Sequence, residues 1–124
     1  MALSIASSSS FTYKMAVETD LEADAKVNIF GTGVTLYSID INNAANAGTV
    51  VYLKLYDSSA SPTVGTTQPD HQLKVAGGAR VIAYYPGGVS FTSGLSMNCS
   101  TTAGTGGDIT TDPAASVTVT LVVA

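Results

Sequence analysis

Tryptophan is missing from the chain, and cysteine and histidine occur once each, as Cys99 and His71. A single cysteine excludes an intrachain disulfide framework, and Cys99 reads as a small apolar side chain in a strand. One histidine and one cysteine cannot supply the nitrogen and sulfur ligands of an ordinary zinc site from one chain. Serines and aspartates are plentiful, but no G-x-S-x-G elbow occurs. His71, between Asp70 and Gln72, reads as a polar residue where a loop meets a strand. The glycine-rich "GTGG" (104–107) lacks the lysine and the following helix of a phosphate loop. No catalytic residue, no cofactor and no enzymatic activity are expected.

Charge is scarce too. Charged residues make up 11% of the chain, less than half the usual share of about 25%. The five cations, Lys14, Lys26, Lys54, Lys74 and Arg80, are scattered and the net charge is −4, which argues against nucleic acid as a partner. No apolar run is long enough to span a membrane as a helix. The N-terminal "MALSIASSSSFTYK" has no basic n-region, so no secretory signal is expected. Ser, Thr, Gly and Ala fill the place of the missing charges, and mean hydropathy is positive. A surface of that kind suits a protein packed against neighbours. At 124 residues the chain is about one domain, large enough for a two-layer core.

What the chain does have is strand patterning. "VTLYSIDI" (34–41) alternates, with Tyr37, Ile39 and Ile41 expected inward and Val34, Leu36, Ser38 and Asp40 outward. "NNAANAGT" follows as a turn. "TVVYLKLYD" (49–57) puts Val51, Leu53 and Leu55 on one face and Val50, Tyr52, Lys54 and Tyr56 on the other. That second face, two tyrosines and a valine around one lysine, is a poor water face and a good contact face. Residues 58–70 form a polar loop. "HQLKV" (71–75) and "RVIAYYP" (80–86) are short strands, the second ended by Pro86. "SFTSGLSMNCST" (90–101) is a strand bent or bulged at Gly94, with Phe91, Leu95, Met97 and Cys99 on one parity. After a glycine-rich connection, "SVTVTLVVA" (116–124) places Val117, Val119, Leu121 and Val123 inward. Short strands between Gly, Pro and Asn turns predict an all-β antiparallel β-sandwich, of jelly-roll or another type.

The first residues stand apart. Residues 1–26 read as an N-terminal arm or an extra strand, and 27–124 as the β-sandwich domain. The arm carries Glu18, Asp20, Glu22 and Asp24, which at strand spacing share one face. They are candidates for a cation site, or a solvated acidic edge that discourages wrong pairing.

From "GTGVTLYSIDINNAANAGTVVYLKLYD" through "SPTVGTTQPDHQLKVAGGARVIAYYPGGVSFTSGLS" to "VTVTLVVA" the chain resembles small virion proteins of tailed bacteriophages, cyanophages among them. The resemblance covers residues 32 to 123 and leaves the first thirty outside. It implies a structural protein on the capsid surface of the virion, of the cement or decoration type. Its partners would be the major capsid protein and other copies of itself in a homotrimer. Val50, Tyr52, Tyr56, Tyr84 and Tyr85 are then the candidate interface residues. A tail, neck or fibre component uses the same architecture, and a carbohydrate-binding module is a further alternative, with Tyr84 and Tyr85 as its aromatic platform.

Overall fold

Alternating apolar side chains need a facing layer, and the chain supplies one by folding into two sheets. The computed structural model describes residues 13–107 and 111–124 and contains no helix among them. Its strands are β1 (Lys14–Glu18), β2 (Val34–Asn42), β3 (Val51–Asp57), β4 (His71–Val75), β5 (Arg80–Phe91), β6 (Leu95–Ser100) and β7 (Thr118–Val123). They form a four-stranded sheet in the order β1-β7-β2-β5 and a three-stranded sheet in the order β4-β3-β6. Every pairing is antiparallel, and the two sheets make a β-sandwich. The core between them holds Ile39, Ile41, Val51, Leu53, Leu55, Val119 and Leu121, all at 1% exposure or less.

Three departures from simple alternation shape the sandwich. In β2, Val34 and Leu36 are buried together with Ile39 and Ile41, and Tyr37 is not. The pairing explains it: Leu36 faces Val123 and Ser38 faces Val122, so β2 carries one residue more than β7 between them. This bulge at Tyr37 reverses the parity and corrects the inward placement of Tyr37. In β5 the strand runs through Pro86 instead of ending there. Proline is tolerated because β5 is an edge strand, and the extra residues against β2 are absorbed at Gly87 and Gly88, with φ of 81° and 79°. A Cβ on Gly88 would press on Thr35 Cγ2, and its positive φ favours glycine there. Between β5 and β6, residues 92–94 break the expected single strand and carry the chain from one sheet to the other.

The boundary at residue 26 also moves. Residues 1–12 of the expected arm lie outside the described residues, but β1 pairs along its length with β7. After it, Leu21 N donates to Val117 O, Cys99 N to Glu22 O, and Lys26 and Met97 exchange backbone hydrogen bonds at 2.8 and 2.9 Å. Segment 21–29 therefore crosses from the four-stranded sheet to the outer edge of β6, and Leu21 and Ala23 are fully buried. Residues 14–18 are thus an extra strand, and residues 21–26 are docked on β6 rather than hanging as a free arm.

Leu21→Ala should cost about 2–5 kcal/mol, the range for deleting a buried leucine side chain, read from denaturant unfolding. Deleting residues 1–26 should abolish the cooperative transition; an intact transition would return 14–26 to the status of an arm.

Candidate functional site

The predicted contact face on β3 is closed by the chain itself. Tyr56 is 3% exposed and Lys54 1% exposed. On the neighbouring strand, Ser96, Asn98 and Ser100 occupy the same outer face and are fully buried. Each has partners. Tyr56 Oη donates to Asn98 Oδ1 at 3.3 Å, and Asn98 Nδ2 donates to Ala23 O at 3.0 Å. Ser96 Oγ accepts from Asn28 N and donates to Ser58 O, while Ser100 Oγ donates to Thr102 O. Lys54 Nζ donates to Gly106 O at 3.0 Å. Segment 21–29, the start of loop 58–70 and residues 101–107 and 111–112 thus form a polar lid on the three-stranded sheet. Tyr56 is removed from the candidate interface, because its side chain is spent inside one chain; Val50 and Tyr52 remain half-buried. Burial pulls the Lys54 ammonium below its ordinary pKa and pushes the Tyr56 phenol above its own. Burial also lifts the Cys99 thiol to about 12, so it stays protonated.

The four-stranded sheet has no such lid among the described residues. Pairing registers place Met15, Val122, Ser38 and Tyr84 in one row across its outer face, and Val17, Thr120, Asp40 and Ile82 in the next. A third row holds Thr118, Asn42 and Arg80. Tyr84 is 74% exposed, Met15 67%, Val17 57% and Ile82 50%. Tyr13 stacks edge-on against Tyr37 at 5.7 Å. The charges on this face neutralise each other: Arg80 grips Asp40 with two nitrogens, Nε to Oδ1 at 2.9 Å. That grip holds the Asp40 carboxyl below its usual range. Tyr85, by alternation, turns the other way and packs on the core, so the pair Tyr84 and Tyr85 does not make a joint platform.

The four acids do not converge. Leu21 and Ala23 point inward and Glu22 and Asp24 outward. Glu18 instead accepts from Asp20 N at 3.1 Å and stands 3.8 Å from Lys26 Nζ. Among the described residues no three His, Cys, Asp or Glu side chains gather as metal ligands do. Beside β1, a cleft of about 430 Å³ opens between that strand and segment 25–29, lined by Ala16, Glu18, Lys26, Val27, Ile29 and Met97. His71 lies on the surface with its ring 5.6 Å from that of Phe91.

Two residues that the sequence marked only as turn formers turn out to be anchors. Asn43 and Asn46 are buried. Asn43 Nδ2 donates to Thr49 O and Ala76 O, and Asn46 Nδ2 donates to Asn43 Oδ1 and Ala115 O. They tie three connections together at one end of the sandwich. Their composition, Asn among Ala and Gly, is what a plain turn also shows, so only the contacts separate the two roles.

Comparison with known proteins finds no family model that matches the chain, no matching curated protein and no matching solved structure.

The depressed Lys54 pKa has a sign that can be measured. An unfolded lysine holds its proton up to its ordinary value of 10.5, while the folded one releases it earlier. Between the two values the unfolded chain binds more protons, so stability rises with pH across that window and levels off above it. Lys54→Met removes this rise. The stability of the native chain relative to Lys54→Met should therefore increase with pH as 10.5 is approached from below and level off above it; a difference independent of pH would show Lys54 to be solvated in the fold.

Proposed function

We propose that this chain is a structural protein of a bacteriophage virion, a cement or decoration subunit on the capsid surface that binds across major capsid protein subunits and stabilises the shell. The observation that carries the reading is the uncovered outer face of the four-stranded sheet, with Met15, Val17, Ile82 and Tyr84 in adjacent rows. An exposed apolar patch rimmed by polar groups marks an interaction surface. Here it sits on a chain with few charges to keep it in water. The resemblance over residues 32–123 supplies the identity of the surface it would meet. Nothing in the reading asks for catalysis: the gain is buried area multiplied by many copies, since weak contacts acting together give high avidity.

We also read the topology as a jelly roll. Segment 21–29 lies antiparallel beside β6 and takes the place of a second strand. Counting it so, the four-stranded sheet contains elements one, eight, three and six, and the other sheet two, seven, four and five. That is the interleaved order of two Greek keys, an architecture shared by capsid proteins, lectins and cupins, so fold by itself does not choose among them. A tail, neck or fibre component would use the same face at a lower copy number. The carbohydrate-binding alternative loses support, because Tyr85 faces the core and leaves Tyr84 alone. The homotrimer that the resemblance implies suits three-fold positions on a shell, whereas the self-contact argued below has two-fold symmetry.

Ile82→Asp and Tyr84→Asp place a charge on the exposed face without touching the core. Each should weaken co-sedimentation with coat-protein particles at least tenfold while leaving the unfolding midpoint unchanged. Unaltered binding would move the contact elsewhere, and a copy number far below that of the coat protein would favour the tail or neck.

A further inference from the structure

The two outer edges beside segment 14–29 are treated differently. The edge of β6 is sealed by backbone hydrogen bonds from residues 22, 26 and 29. The edge of β1 is not: Lys14–Glu18 pair with β7 on one side, and no other described backbone group bonds to them. An open edge recruits another strand unless something blocks it, and the usual devices are proline, a bulge, a very short strand or charged side chains. β5, at the opposite edge of the same sheet, has two of them in Pro86 and the Gly87–Gly88 bulge. β1 has neither, since its sequence is KMAVE and its register with β7 is unbroken.

Its charges are also arranged for self-matching. Lys14 and Glu18 lie two residues on either side of Ala16, have opposite sign and share one face of the strand. We propose that two copies of this chain associate by antiparallel β1–β1 pairing about a two-fold axis at Ala16. Lys14 of each copy then faces Glu18 of the other, Met15 faces Val17, and the two Ala16 side chains meet at the axis, where their small size allows close approach. Directly opposed residues in an antiparallel pair lie within contact distance. A parallel pair would set lysine beside lysine, and an antiparallel pair slipped by two residues would lose both ion pairs, so charge selects this register.

The surroundings fit. Glu18 is already held in place by Asp20 N and Lys26. Met15 and Val17, 67% and 57% exposed in one copy, gain an apolar neighbour. The cleft beside β1, with Val27 at its rim, lies against the same edge and would be closed by the second copy. The contact is small against the roughly 800 Å² per partner of a stable complex, so the dimer should be reversible and concentration-dependent. The inference stands apart from the virion reading, since it concerns the edge of β1 and not the coat.

The test is sedimentation velocity on the full chain over about a hundred-fold concentration range. A monomer–dimer equilibrium is expected. Lys14→Glu sets two carboxylates opposite each other at both ends of the pairing, and Glu18→Lys sets two ammonium groups there. Each variant alone should dimerise at least tenfold more weakly. An equimolar mixture of the two should recover the dimer, because in the mixed pair every opposed charge is again of opposite sign. Lys14→Glu changes an exposed residue and keeps the test valid if Glu18→Lys fails to fold, which circular dichroism checks. A chain that stays monomeric, a trimer, unweakened single variants or a mixture that does not recover would each overturn the proposal. Coat binding is read separately by particle co-sedimentation, so either idea can fail alone.

Discussion

The hydrogen bonds of Asn98 hold together what would otherwise be two incompatible demands on one sheet. β6 must present Leu95, Met97 and Cys99 to the core, yet its other face carries Ser96, Asn98 and Ser100, all without water. A buried polar group left unpaired costs about 1–3 kcal/mol, so that layer is stable only if its partners arrive together. Tyr56 comes from β3 and Ala23 from segment 21–29. The same segment contributes Leu21 to the core. Core and lid are therefore closed by one piece of chain, and neither is complete without it.

From that constraint follows the asymmetry of the molecule. The connections that cover a sheet among the described residues, 58–70, 101–107 and 111–112, are used on the three-stranded sheet, where Lys54 and Gly106 join lid to strand. No described connection lies over the four-stranded sheet, and its outer face shows Met15, Val17, Ile82 and Tyr84. The apolar side chains on the open face are what distinguish it from an ordinary solvated sheet, in which that face alternates to polar.

The sequence made the sandwich legible because inward strand positions are written in period-2 patterns: Val51, Leu53 and Leu55, and Val117 through Val123, all lie where alternation puts them. It misled wherever one extra residue entered. Nothing in "TLYSID" announces that Tyr37 is the bulged residue, since the bulge is defined by the register with Val122 and Val123, more than eighty positions away. The burial of Tyr56 escaped the sequence for a related reason. Tyr52 and Tyr56 were correctly placed on the outer face of β3, but whether an outer face is wet, lidded or shared depends on where long loops come to rest. Period and composition of a strand carry no information about that. Tyr84 was legible as an aromatic on a strand, and its exposure follows from its place on the outer face of the four-stranded sheet.

The open face and the open edge meet at Met15 and Val17, and their sizes make sense only together. With strands about 4.8 Å apart and alternate residues about 6.8 Å apart along a strand, three rows on four strands cover about 400 Å². That is about half of the roughly 800 Å² each partner contributes to a specific interface. One copy thus presents a surface with the chemistry of a contact and too little area for a lasting one. Joining two copies along β1 would continue the rows of Met15 and Val17 across eight strands and double the area, with the apolar residues of β1 in the middle. The edge pairing and the face would then adjoin, each able to act without the other, and together they would present a single larger surface.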